Sequence, residues 1–153
     1  MPVIKIALIG LVLFLVLARF LNRPNPNLKT VTLNIGAQSF ALEKASTTLE
    51  HSRGLSGRTS LCPTCGMVFI FKNESIQTFW MKNTLIPLDI IFLDTDGVVN
   101  TIHSAQPQPG VSDLKLKLYA SSSPSRYVIE LPAGNAQKLG LTVGSQINLA
   151  PLK

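Results

Sequence analysis

Side chains able to do chemistry are densest in one short segment of this chain. Residues 79–84 read FWMKNT, and in a strand the alternation of side chains puts Trp80, Lys82 and Thr84 on one face. The only tryptophan of the chain then stands beside a lysine and near the amide of Asn83, which is typical of a pocket wall with polar handles. A structural alternative stays open, in which the aromatic ring packs in the core and the polar side chains bond a turn.

The only two cysteines, Cys62 and Cys65, are spaced Cys-x-x-Cys. They fit a structural disulfide in an oxidising compartment, a reversible redox pair whose thiol pKa is lowered, or a zinc site completed by His51 and His103. Neither histidine stands at zinc-finger spacing, and a strand follows the motif where thioredoxin-like proteins have a helix. We favour the structural disulfide and expect neither a metal nor a cofactor.

Two acidic residues, Asp89 and Glu130, would act as a catalytic carboxylate pair only if the fold brings them together. The sequence contains no Gly-x-Ser-x-Gly elbow and no phosphate-binding loop. Because no nucleophile is recognisable beside a base, a binding role fits the sequence better than catalysis.

The N-terminal segment is apolar and long enough to place the rest of the chain at a membrane. Residues 4–21 carry charges only at Lys5 and Arg19, and as a helix they span roughly 27 Å, close to the hydrocarbon core of a bilayer. Residues 1–21 are therefore predicted to be a signal anchor or a signal peptide, and residues 22–27 (NRPNPN) a Pro/Asn tether. We expect a membrane-anchored protein, or one secreted after cleavage, with its domain outside the cytoplasm; the flanking charges do not fix the orientation.

The composition excludes a disordered chain, since 46% of the 153 residues are hydrophobic and only 14% are charged. The net charge of +6 comes from scattered basic residues, which fits attraction to anionic headgroups. Nucleic acid is not an expected partner, because only Phe79, Trp80 and Lys82 combine basic and stacking side chains.

Residues 28–153 are predicted to form one mainly β domain, barrel-like or sandwich-like, with two short helices. The capping box of Thr47 and Glu50 opens the first helix, which ends near Gly54 or Gly57. A second helical turn covers 133–139. Predicted strands are a hairpin over 31–42 and the segments 67–71, 76–81, 88–93, 98–102, 114–118, 127–131 and 146–149. The strand over 114–118 alternates leucines with lysines, so it should bury its leucines and expose its lysines.

Three strings resemble the family called domain of unknown function 192 (DUF192): GMVFIF (66–71), FWMKNTLIPLDIIFLD (79–94) and YVIELPAG (127–134). They span nearly all of the chain after the tether. The resemblance implies a compact β-rich domain, often behind a signal peptide or anchor, and no established reaction, ligand or cofactor. It adds ligand-binding candidates, which are Trp80, Met81, Lys82, Asn83, Thr84 and Asp89, with Arg53 and Glu130 as further charged candidates.

We therefore expect a membrane-tethered binding module whose pocket around FWMKNT takes a small molecule, a peptide or an envelope component. One alternative is an enzyme of unknown reaction that draws its acid, base or anion clamp from Arg53, Lys82, Asp89 and Glu130. Another is a thiol-redox or zinc protein centred on Cys62 and Cys65.

Overall fold

The computed structural model of the chain describes residues 25–26 and 28–152. The predicted membrane segment, residues 1–21, and most of the predicted tether lie outside the described residues. Among the helices that are described, none has the length and apolar character needed to cross a bilayer.

The domain is mainly β with two short helices, as predicted. Its strands are β1 (Thr30–Ile35), β2 (Gln38–Ala45), β3 (Cys65–Ser75), β4 (Thr78–Trp80), β5 (Leu88–Leu93), β6 (Val99–Ala105), β7 (Leu118–Ala120) and β8 (Ser125–Pro132). Its helices are α1 (Thr48–Arg53) and α2 (Asn135–Lys138), and short 3-10 turns cover Asp113–Lys115 and Ala150–Leu152.

The main sheet has six strands in the order β1-β2-β3-β8-β5-β6, and β4 pairs with β7 in a separate ribbon. All pairs are antiparallel except β2 with β3. Within the described residues β1 and β6 end the sheet and do not pair with each other, so the sheet is open. The prediction of a barrel is wrong. Other segments of the chain cover both faces of the sheet, so its apolar surface is buried although the sheet does not close on itself.

Two hydrophobic cores lie on opposite faces of the main sheet. Along β8, Tyr127 and Ile129 face the first core, which α2 and the C-terminal segment cover. Val128 faces the second core, which holds Leu55 from the loop after α1 and Met81 from the segment after β4. Because both faces of the central strands are buried, their sequences are continuously apolar, as in the LDIIFL run of β5.

The predicted capping box holds the start of α1. Thr47 accepts a hydrogen bond from the Glu50 N–H at 3.3 Å, and the Glu50 carboxylate accepts one from the Thr47 N–H at 2.9 Å. The backbone N–H groups of Ser46 and Thr47 donate to the Glu50 carboxylate and hold the pKa of Glu50 below its usual value. The helix ends at Gly54, whose positive φ of +46° is a conformation that glycine adopts more readily than other residues.

Asn25 belongs to the predicted tether and is docked on the other end of α1. Its side-chain amide donates to the carbonyl oxygens of Glu50 and Gly54, at 3.0 and 2.9 Å. The amide thus adds to the hydrogen bonds at the C-terminal end of α1, where the Glu50 carbonyl also accepts the Gly54 N–H at 2.9 Å. Asn25 is thereby bonded to the domain.

Two strand predictions are wrong. Over 114–118 the chain makes a 3-10 turn, and β7 begins only at Leu118. Over 146–149 it makes a single bridge, between Gln146 and Val98. In both places an alternating pattern occurs without a neighbouring strand to pair with, and alternation alone does not make a strand.

Gly66 is expected to tolerate no side chain. A Cβ atom there would clash with the carbonyl oxygen of Glu130 and lie within 2.9 Å of Leu42 and Leu131. Gly66→Ala should therefore lower the free energy of unfolding by about 3 kcal/mol, the upper end for overpacking, as measured by urea unfolding. Asn73→Ala, at the exposed end of the same strand, is the control and should stay within about 0.5 kcal/mol; equal losses would contradict the close approach.

Candidate functional site

A cavity of about 300 Å³ lies between the C-terminal half of α1 and the segment from β4 to Thr84. Strands β3 and β8 form its base, and its aromatic wall consists of Phe69, Phe71, Phe79 and Trp80. This volume is at the lower end of the range for small-molecule pockets.

The phenylalanine rings of the aromatic wall pack against one another and against neighbouring rings. The Phe79 ring stands edge-on to Phe69 and Phe92, with centroids 4.8 and 5.6 Å apart. The His51 ring lies 4.5 Å from that of Phe71 and donates to the carbonyl of Ala45 at 3.1 Å. Edge-to-face contacts of this kind hold ring positions, so the wall offers a preformed apolar surface.

Glu130 stands at the base of the cavity in an apolar setting. It is 4% exposed, and its partners on the two neighbouring strands are Met67 of β3 and Ile90 of β5. Burial raises the pKa of Glu130 to about 8, so its carboxyl group is mostly protonated at neutral pH. Its Oε2 atom has no hydrogen-bond partner among the described residues. A buried polar atom in that state costs roughly 1–3 kcal/mol, which a ligand in the cavity would recover.

Two cations line the same cavity. Arg53 is the last residue of α1, and Lys82 follows β4. The Lys82 Nζ atom is 2.6 Å from the carboxylate of Asp113 and 5.6 Å from the centre of the Trp80 ring.

Five predicted site residues meet in this cavity: Arg53, Trp80, Lys82, Thr84 and Glu130. Trp80, Lys82 and Thr84 all line the cavity, although β4 ends at Trp80 and Lys82 lies in the turn that follows it. The carboxyl group and the two cations come from three separate elements, so only the fold brings them together.

Met81 and Asn83 are turned away from this cavity. Met81 is buried in the second core. Asn83 lies in a turn with a φ of +53°, and its backbone carbonyl accepts a hydrogen bond from the N–H of Gly57. Both line a neighbouring cavity of about 240 Å³, bounded by the loop over 107–111. Lys82 and Thr84 line both cavities.

Asp89 lies on the other face of the sheet from Glu130. It is paired with Leu131, which faces the first core, and its carboxylate accepts the N–H of Ala136 in α2 at 2.8 Å. The two acidic side chains therefore do not form a pair, although their strands are adjacent. Asp89 holds α2 against the sheet.

Cys62 and Cys65 form a disulfide in the loop that leads into β3. Cys65 is the first residue of that strand and pairs with Ala41 of β2. Across the described residues, no three His, Cys, Asp or Glu side chains are grouped so that they could hold a metal ion. The two sulfurs are bonded to each other, and His51 packs on Phe71.

Sequence reasoning missed several cavity residues. Phe69 and Phe71 come from β3, and His51 from α1. A signal was present in GMVFIF, since Met67, Phe69 and Phe71 are two residues apart and so share a face of the strand. Which face would meet the Trp80 segment is decided by long-range packing.

The fold and site together define a mainly β, open-sheet domain with a buried acid beneath an aromatic-walled cavity. The family model of DUF192, described as an uncharacterised ACR, matches residues 30–149, which is well over half of the chain. The chain therefore belongs to the DUF192 family, as its three strings suggested.

Two solved structures are similar to this chain. A protein of Sinorhizobium meliloti 1021, provisionally named a transcription regulator, is 30% identical, with a TM-score of 0.70 over 81% of this chain and 96% of its own. A protein of unknown function from Novosphingobium aromaticivorans DSM 12444 is 29% identical, with a TM-score of 0.66 over 84% and 95%. No curated protein matches the chain significantly.

Glu130 should make the stability of the domain depend on pH. Between its ordinary pKa of 4.5 and its raised pKa of about 8, the folded state holds a proton that the unfolded state has lost. Stability should therefore fall as pH rises through this window, by roughly 1.4 kcal/mol per pH unit. Glu50 acts oppositely, and its contribution is already complete above pH 4.5 because its pKa is lowered.

Glu130→Gln should flatten this slope between pH 5 and 8, as measured by urea unfolding followed through Trp80 emission. Glu74→Gln is the matched control, since Glu74 is exposed, and it should keep the parent slope. A Glu130→Gln protein with an unchanged slope would show that the carboxyl group ionises normally.

Proposed function

We propose that this protein is a membrane-tethered, extracytoplasmic binding module that takes a small molecule, or the end of a peptide or envelope component, in the cavity above Glu130. One observation carries the proposal: a buried carboxyl group faces the cavity with its Oε2 unpartnered by any described residue. Native proteins rarely leave such an atom without a partner, so the site fits a ligand that supplies the missing hydrogen bond.

The cavity walls define the chemistry of the ligand. The rings of Phe69, Phe79 and Trp80 suit an aromatic or aliphatic body. The protonated Glu130 carboxyl group donates to an acceptor oxygen, and Arg53 favours a negative charge in the same space. A small organic carboxylic acid, or the carboxyl end of a short peptide, meets all three demands.

Binding accounts for the site better than catalysis by a carboxylate pair. Asp89 and Glu130 face opposite cores, and Asp89 is bonded to the backbone of α2. A pKa near neutrality would also suit Glu130 as a general acid or base. Turnover of a bound compound is therefore the observation that would favour the enzyme alternative.

The proposed location rests on two features of the sequence and structure. Residues 1–21 have the length and composition of a signal anchor or signal peptide. The Cys62–Cys65 disulfide is of the kind that persists in oxidising compartments outside the cytoplasm.

Ligand binding is tested by screening aromatic carboxylic acids and short peptides against the full chain in detergent micelles. Compounds that raise the melting temperature should also change the emission of Trp80, the only tryptophan, because it lines the cavity. Glu130→Met removes the donated proton while keeping a side chain of similar length, and should weaken binding about tenfold or more, the value of one buried hydrogen bond.

The matched controls lie outside the cavity. Glu74→Met, the same substitution at an exposed position, should bind like the parent, and so should Val143→Ala, which shortens an exposed apolar side chain elsewhere. Hits that are equally weakened by both sets of variants, or by neither, would show that the compounds bind somewhere else.

Localisation is tested with the two cysteines themselves. In intact bacterial cells that express the full chain, a maleimide should label the protein only after reduction, since Cys62 and Cys65 are oxidised outside the cytoplasm. The Cys62→Ser and Cys65→Ser double variant should never be labelled. Labelling of the parent without reductant would contradict the proposed location.

A further inference from the structure

The most unusual surface of the described domain is apolar where the sequence predicts burial. Leu114 is 100% exposed and Leu118 is 60% exposed, while Leu116 and Tyr119 turn inward between and beside them. A 3-10 turn replaces the predicted strand here, so the alternation that would have buried the leucines is broken. Trp80 is 43% exposed as well.

These exposed side chains form one continuous face. Trp80 and Leu118 are direct partners in the β4–β7 ribbon, so their side chains lie side by side. The turn that carries Leu114 also carries Asp113, whose ion pair with Lys82 ties the turn beside the Trp80 ring.

Exposed Leu85 borders the smaller cavity, which Lys82 and Asp113 also line. We call the whole surface the leucine–lysine face: Trp80, Leu85, Leu114 and Leu118, with the exposed lysines Lys115 and Lys117.

The charge of this face is positive. The segments 76–85 and 106–120 contain three lysines, Lys82, Lys115 and Lys117, and one acidic residue, Asp113, which gives a net charge of 3 − 1 = +2. Lys115 and Lys117 are exposed and flank the inward-facing Leu116, so the exposed leucines on either side alternate with lysines, and the Lys117 Nζ atom lies 5.0 Å from the centre of the Tyr119 ring. Isolated exposed leucines need no explanation, but a contiguous apolar patch marks an interaction surface.

We propose that the leucine–lysine face docks on the surface of an anionic lipid bilayer. Leucines at a turn enter the boundary between headgroups and acyl chains, a tryptophan lies at the level of the headgroups, and lysines reach the lipid phosphates. The positive charge of the face attracts it to anionic headgroups, whereas zwitterionic headgroups carry no net charge and add no such attraction.

The chain length outside the structure supports this occupant, in a step that rests on the proposed membrane segment. Asn25 is bonded to the end of α1, four residues after the predicted segment ends at residue 21. Four residues reach at most about 14 Å when fully extended. Gly54, which Asn25 bonds, lines the same cavity as Trp80 and Lys82, so a bilayer anchored at residue 21 lies close to the leucine–lysine face.

The docking is tested on the full chain reconstituted in lipid vesicles, with Trp80 as the only tryptophan. Acyl chains brominated near the headgroup quench a tryptophan that touches them. In vesicles that contain phosphatidylglycerol, bromination should quench Trp80 emission strongly, and less so in pure phosphatidylcholine or at 1 M salt, where charges are screened within about 3 Å.

The variants separate the two forces. Lys115→Gln and Lys117→Gln should each weaken docking on anionic vesicles about fivefold, the value of one lysine near such a surface. Leu114→Ser with Leu118→Ser should abolish the quenching in both lipids. The matched controls, Val143→Ser and Lys138→Gln, change exposed residues outside the face and should leave quenching unchanged.

Equal Trp80 emission in brominated and unbrominated vesicles would overturn the proposal. So would quenching that none of the face variants reduces. A parent chain that is dimeric in micelles, with the Leu114→Ser and Leu118→Ser variant monomeric, would also overturn it, since this would indicate a second copy on the face. These results are independent of ligand binding, because Leu114 and Leu118 do not line the cavity above Glu130. A loss of docking with ligand binding intact would reject only the bilayer contact.

Discussion

Strand β8 is hydrogen-bonded on one side to β3 and on the other to β5, and both of its faces are covered by hydrophobic cores. The side chains of its middle residues are all buried. Because successive side chains of a strand point to opposite faces, each residue enters the first or the second core according to whether its position is odd or even. Glu130 falls on the face of the second core, between Met67 and Ile90. The cavity exists because α1 and the Trp80 segment cover this face without filling the space above the carboxyl group.

Lys82 connects the two features that we interpret as functional. Its side chain lines the cavity above Glu130, pairs with Asp113 on the 3-10 turn, and lies over the ring of Trp80. Trp80 in turn belongs both to the cavity wall and to the exposed leucine–lysine face. Substitutions at Lys82 or Trp80 therefore affect both features at once, whereas Glu130 and Leu114 each report on one of them.

Much of the fold could be predicted because the signals are local. The capping box of Thr47 and Glu50 involves residues three apart, and the family strings place most of the strands. The site was predicted only partly. Nothing local shows whether Glu130, within the apolar run YVIELP, is buried or paired, since this depends on strands that lie 40 to 63 residues away in the chain. The leucines of 114–118 misled for the same reason: their pattern fits a strand, but only Leu118 has a strand beside it.

The buried acid makes a proton part of any binding equilibrium in the cavity. A ligand that accepts a hydrogen bond from Glu130 holds the proton in place, whereas a cationic ligand would drive it off, and solvent must supply or take up the difference. Near pH 8, where the group is about half ionised, the two kinds of ligand must respond to pH in opposite ways. The association constant of an acceptor ligand falls as pH rises, and that of a cationic ligand increases. The heat of binding must also depend on which buffer exchanges the proton, so that calorimetry in two buffers counts protons and thereby reveals the charge of an unknown ligand.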